Sequence, residues 1–286
     1  MKKIDDHMHV SLNSSGRKIN GAVLASAQEM LPVMEKYDIE RSVLMSSGEK
    51  DCLMDNNELK EICRRYPDKF SYMVTFDLEQ QDGLEERVAA EKEAGAAGIG
   101  EFTSNYAFDD PKVWNLLGIL ERHRLPLLFH MTPQLGNYYG VYDEGGLPRL
   151  ERALEAFPAA VIIAHSQPFW YEMTRHEAYS PEERNSYPSG KIDQEGRVQE
   201  LLRRYPNLYC DLSANSAGTA IMRDPEYGQK FLDEFQDRLL YGTDLYNTDQ
   251  VFGLGAYLDD LERTQKLSVY VYEKIIRRNA EKVLGL

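Results

Sequence analysis

The strongest constraint on this chain is an alternation that recurs eight times. The short apolar runs "KKIDDHMHV", "RSVLMSS", "FSYMVTFD", "AAGIGEF", "LPLLFHM", "AVIIAHS", "NLYCDLS" and "RLLYGTD" are separated by loops and amphipathic stretches. Their β-branched and aromatic content, with little polar alternation, suits parallel strands covered on both faces. Helices are expected over 25–37, 56–66, 84–94, 111–123 and 147–157. Several of them end at "YPDK", "FPAA" or "YPNL", where proline stops a helix. Two further helices are expected over about 249–265 and 268–284. Eight strands alternating with helices predict an α/β fold, a (β/α)8 TIM barrel in a single domain spanning 1–286. The runner-up, an open doubly wound sheet, calls for a glycine-rich turn after an early strand, and "MHVSLNSSGRK" is not one. Two loops are long and aromatic: "TPQLGNYYGVYDEGG" after strand five, and residues 166–192 after strand six.

Composition removes several classes of function. A net charge of −14 repels phosphate backbones, so no nucleic-acid partner is expected. The pairs Arg64–Arg65, Arg203–Arg204 and Arg277–Arg278 fall at the ends of expected helices, where the macrodipole favours cations. Cys52, Cys63 and Cys210 are odd in number and show no paired spacing, which argues for a reducing compartment. The N-terminus has no apolar leader-like region, and no stretch reaches transmembrane length. The expectation is a soluble cytoplasmic protein with no membrane partner. Its oligomeric state is open, and a homo-oligomer is compatible with the sequence.

The polar residues that punctuate the runs carry the chemistry. His7 and His9 close the first strand, Glu101 the fourth, His130 the fifth, His165 the sixth and Asp244 the eighth, each at a similar small offset. In a closed barrel these ends meet at one mouth, where barrel active sites sit. Side chains two apart on a strand share a face, so His7 and His9 both point toward the axis. An imidazole pair joined by a third histidine and an aspartate is a ligand set typical of zinc and similar cations. Singly, each residue has a bland reading: a hydrogen-bonded histidine, a surface carboxylate, or an Asp244 that caps a helix. Jointly, four of six histidines at strand ends favour a site. His123 ends a helix and His176 lies in the loop after strand six, and neither is placed in it.

The ordered set HxH, His130, "AH" at His165 and "GTD" at Asp244 resembles the metal-dependent amidohydrolase superfamily. Within it, the chain is similar to the branch of aminocarboxymuconate-semialdehyde decarboxylase and related amidohydrolase-2 proteins. The resemblance runs from "DDHMH" to "YGTD". It implies a divalent metal, Zn²⁺ before others, as one or two ions. His7, His9, His130 and Asp244 would bind or border one metal. His165 would ligate a second metal or act as the catalytic histidine of a one-metal site. Glu101 stands where many superfamily members carry a carboxylated lysine, and a glutamate there supplies a similar bridging carboxylate. A two-ion arrangement would put His7, His9 and Asp244 on one ion, His130 and His165 on the other, and Glu101 between.

The function expected is metal-assisted hydrolysis of a small-molecule amide, ester or lactone. Asp244 would shuttle the proton of the attacking water. The first alternative is non-oxidative decarboxylation of an aromatic or unsaturated carboxylic acid, with His165 in proton transfer. In that reading Tyr138, Tyr139, Tyr142, Phe169, Trp170 and Tyr171 stack on a planar substrate, or else simply pack their loops. The second is a non-catalytic metal- or ligand-binding barrel. Arg17 and Arg175 are candidates for receiving an acidic group.

Overall fold

A computed structural model describes residues 1–14, 16–19, 21–49, 53–178 and 180–286. Each of the eight apolar runs overlaps a strand: β1 Lys3–Met8, β2 Ile39–Leu44, β3 Phe70–Tyr72, β4 Ile99–Phe102, β5 Leu127–Thr132, β6 Ile162–His165, β7 Leu208–Asp211 and β8 Leu239–Leu240. All pairings among them are parallel, β1 to β2 to β3 on one side and β4 through β8 on the other. Two seams close the ring. Val74 bridges Ile99 beside β3 and β4, and Met8 bridges Leu245 beside β1 and β8. Backbone hydrogen bonds secure both: the Val74 N–H donates to Gly98 O at 3.1 Å, the Asp6 N–H to Tyr241 O at 2.9 Å. The result is a (β/α)8 barrel.

The helices begin and end for local reasons. Ser26 and Glu29 form a reciprocal capping box at Ala27–Lys36, and Asp55 caps Asn56–Arg65 by accepting two backbone N–H groups. Pro111 opens Pro111–His123 at a position where its missing N–H costs nothing. Arg64–Arg65 and Arg203–Arg204 occupy last turns, as expected. Arg277–Arg278 do not. The final helix runs on through a π turn at Lys274–Arg278 into Asn279–Leu284, and Arg277 pairs with Glu40 and Glu281 at 2.7 Å each.

Two apolar clusters fill the protein. The larger joins the outer faces of the strands to the helices. The smaller takes Ile4, Val43, Met73, Leu128, Ile163, Tyr209 and Leu240 from seven different strands or their ends, so it is the filling of the barrel itself. Ala280 and Leu284 of the last helix close it from below.

Cys63 and Cys210 are free thiols, and burial pushes both up, Cys63 to about 12. Cys52 lies outside the described residues. No helix among the described residues is long and apolar enough to cross a membrane.

Candidate metal centre

One pleat above the apolar filling, the same strands turn polar. Leu128 is followed two residues on by His130, Ile163 by His165, Tyr209 by Asp211 and Leu240 by Gly242. The period of two keeps each pair on one face. On β1 the pattern is irregular: its register against β2 shifts between Asp5 and Met8. Consecutive side chains, Asp6 and His7, consequently both lie against Asp211. Asp5 stays out of the cluster. Its carboxylate accepts from the Thr243 N–H at 2.8 Å and the Thr243 hydroxyl at 2.7 Å, tying β1 to the end of β8, and burial raises it to about 7.

The ring nitrogens then converge. His7 Nε2 and His9 Nε2 are 3.1 Å apart. Asp244 Oδ1 stands 3.6 Å from the first and 3.2 Å from the second. Glu101 Oε2 stands 3.7 Å and 3.5 Å from the same two nitrogens. Four donors bound to one ion at about 2.0–2.2 Å are roughly 3.3–3.6 Å apart along tetrahedral edges. The five separations bracket that range, so His7 and His9 are spaced to share one small divalent cation with Asp244, and equally with Glu101. Three-donor groups form from His7, His9 and Asp244 and from His7, Glu101 and His165. His130 stands one step out. Its Nδ1 is 2.7 Å from Glu101 Oε1, and it belongs to neither group. Glu101 therefore offers one oxygen to His7 and His9 and the other to His130.

Charge in the cluster points the same way. Burial disfavours a charged His7, yet the carboxylates of Asp244, Asp211 and Glu101 outweigh it and hold the imidazole well above its usual value. Glu101 is pushed up by burial but held well below the carboxylate range by hydrogen bonds from His130 and His7. Asp244 is pushed up by burial and pulled below its ordinary value by His7 and His9. Burial lowers His130 in spite of Glu101. Ionised carboxylates around His7 thus call for a positive charge, which a proton supplies and a cation can replace.

Asp211 was not among the residues singled out in the sequence, although it closes β7 at the offset that marks His130 and His165. Its Oδ2 is 2.7 Å from His7 Nδ1 and 2.9 Å from His165 Nδ1. The Ser213 hydroxyl donates to the same oxygen at 2.6 Å and the Ser213 N–H to Oδ1 at 2.7 Å. Burial raises Asp211, and the two imidazoles more than reverse it, leaving the carboxylate far below its ordinary range. Neighbouring Asp6 goes the other way: burial and then the charge of Asp211 push it well up. Gly242 makes room for the pair, since a Cβ there would lie 2.3 Å from Asp6 Oδ1 and 2.5 Å from Asp211 Oδ1.

Two of the loops that carry donors hold a non-glycine residue at positive φ, Asp244 at 57° and Ser166 at 90°. Each costs on the order of 1–3 kcal/mol and persists because neighbours fix it. The Asp244 N–H donates to His7 O at 2.8 Å, and Ser166 Oγ accepts from the Met131 N–H at 3.0 Å.

A cavity of about 130 Å³ opens onto the donors. His9, Glu101, His130 and Asp244 line it together with Ile19, Leu53, Met54, Tyr139 and Tyr246. Of the six loop aromatics, Tyr139 lines it, with its ring 4.3 Å from that of His130. Phe169, Trp170 and Tyr171 form the short helix Gln167–Tyr171 and are buried in packing, not at the mouth. Arg17 is engaged by Glu58, and Arg175 lines a separate hollow with His176 and Glu195. His123 contacts Glu85 at 3.2 Å on the outer surface, and His176 stacks on Tyr171 at 4.0 Å.

A family model described as amidohydrolase matches residues 4–286, and the chain belongs to that family, in its amidohydrolase-2 branch. Solved structures share the fold at low identity. A 5-carboxyvanillate decarboxylase from Novosphingobium aromaticivorans with bound manganese is 16% identical with a TM-score of 0.64, over 100% of this chain and 97% of that one. A probable 2-pyrone-4,6-dicarboxylic acid hydrolase from Acinetobacter baumannii, with citric acid bound, is 13% identical with a TM-score of 0.61, over all of both chains. An amidohydrolase from Burkholderia multivorans with bound zinc is 14% identical with a TM-score of 0.64, again over all of both chains. No curated protein matches the sequence.

Proposed function

We propose that the chain is a metal-dependent hydrolase of a small-molecule amide, ester or lactone. His7, His9, Glu101 and Asp244 hold one divalent ion. Two imidazoles and two carboxylates suit Zn²⁺ and also accommodate Mn²⁺. Neighbours of the same fold carry zinc or manganese. Such an ion activates water at neutral pH and polarises a carbonyl. Asp244 accepts the proton of the attacking water on its carboxylate and returns it to the leaving group. Ile19, Leu53 and Met54 add an apolar part to the cavity lining.

The observation that carries this reading is the placement of the two candidate proton carriers. Asp244 lines the cavity, and its side chain is 26% exposed. His165 is 2% exposed and is not among the lining residues. A hydrolase built on Asp244 has its base in the cavity lining, whereas a decarboxylase built on His165 has its proton donor outside that lining. A decarboxylase reading keeps one support, the Tyr139 ring beside His130, which suits a planar acid. A panel of amides, esters and lactones, run beside aromatic acids assayed for carbon dioxide, separates the two. Hydrolysis abolished by Asp244→Asn supports the proposal. Carbon dioxide release abolished by His165→Asn, without any hydrolysis, overturns it.

A further inference from the structure

Three donors converge on one buried oxygen of Asp211: His7 Nδ1 at 2.7 Å, His165 Nδ1 at 2.9 Å and the Ser213 hydroxyl at 2.6 Å. The other oxygen takes the Ser213 N–H at 2.7 Å. We infer that Asp211 is a positioning residue that fixes the tautomer and orientation of two imidazoles at once, turning Nε2 of both His7 and His165 toward Glu101. This rests on the metal reading above and names the residue that prepares its donors.

Only a carboxylate suits the place. An ionised carboxylate accepts at every lone pair, and here hydrogen-bond donors approach from both oxygens. An asparagine must set its NH₂ against either the Ser213 N–H or the two Nδ1–H groups, and both choices oppose donor to donor. A backbone N–H cannot turn away, so the amide oxygen stays with Ser213 and the NH₂ faces the imidazoles. Their Nδ1 atoms must then accept, and the ring proton moves to Nε2. A protonated Nε2 has no lone pair for a cation. His9 shows the contrast: its buried Nδ1 has no partner among the described residues, so nothing at that nitrogen selects its tautomer. Polar partners behind ligand histidines typically account for 10–100-fold of metal affinity.

The test uses full-length protein labelled with ¹⁵N at its histidines. In wild type, two-bond ¹H–¹⁵N correlations should show the His165 ring protonated at Nδ1, and Asp211→Asn should move that proton to Nε2. Competition with a chromophoric chelator should show zinc held 10–100-fold less tightly by Asp211→Asn and only a few-fold less by Ser213→Ala. A wild-type His165 protonated at Nε2 overturns the inference whether or not the variant folds. So does a folded Asp211→Asn that keeps both wild-type zinc affinity and the wild-type tautomer. Failure of wild type to bind zinc, with His165 still protonated at Nδ1, sinks the metal reading and leaves the clamp standing.

Discussion

Inside the barrel two layers lie one pleat apart on the same strands. The lower one holds Ile4, Leu128, Ile163, Tyr209 and Leu240, and the upper one Asp6, His130, His165, Asp211 and Gly242. The lower layer is a packed apolar filling that would serve any barrel. Almost every member of the upper layer is titratable, nearly all of it is buried, and the ionised carboxylates about His7 call for a positive charge that a proton supplies and a cation can replace. The difference teaches that stability and chemistry are separated by about 7 Å along each strand, two residues of rise. Substitutions should therefore sort by layer.

The largest effect expected belongs to the lower layer. Leu128→Ala removes a fully buried side chain and should cost about 2–5 kcal/mol of unfolding free energy. Metal affinity per folded chain should hardly move. Chemical denaturation beside a zinc titration checks both halves, and a folded variant with strongly weakened zinc binding breaks the separation. Gly242→Ala comes next, because its Cβ meets Asp6 and Asp211 in the upper layer. Overpacking of this kind costs about 1–3 kcal/mol. Here zinc affinity should fall together with stability, and a stable variant with unchanged affinity would show that the Asp6–Asp211 contact is slack.

Part of this division was legible in the sequence, because on β5 to β8 the residue of the upper layer follows that of the lower by two. The strands, the single barrel and the gathering of His7, His9, Glu101, His165 and Asp244 followed from that spacing. Asp211 obeyed it too, but nothing in "NLYCDLS" distinguishes a buried partner of two histidines from an ordinary strand-end aspartate. The register shift in β1 was not legible: it arises from pairing with β2 and leaves no mark in "DDHMH". Nor was the burial of Phe169 and Trp170. A loop aromatic looks the same in sequence whether it faces a substrate or packs on Phe231, as Trp170 does at 6.1 Å. His130 was placed at the correct strand end, but only coordinates reveal that its Nδ1 is taken up by Glu101.

Acidity gives a sharper and smaller test. His7 is held above its ordinary value, so near neutral pH the metal-free centre keeps a proton there that the ion must expel. Glu101 and Asp244 are held low and contribute no such competition. Zinc affinity should therefore rise with pH, by up to about tenfold per unit across the neutral range, and should fall as the solution is acidified. A flat profile in a calorimetric titration would show that His7 is already neutral. The smallest effect is expected at the rim. Tyr139→Ala should lower kcat/KM a few-fold through lost substrate contact and leave zinc affinity unchanged, since the ring lies beside His130, which is not one of the four proposed donors. A drop in affinity would extend the upper layer into the loop.

The central claim is that His7, His9, Glu101 and Asp244 hold one divalent ion. Metal content per chain, by elemental analysis of wild type and of a His7→Ala, His9→Ala double variant under equal zinc supply, tests it most directly. The account predicts about one ion per wild-type chain and almost none in the variant. Metal-free wild type, or a double variant that keeps its ion, would contradict it.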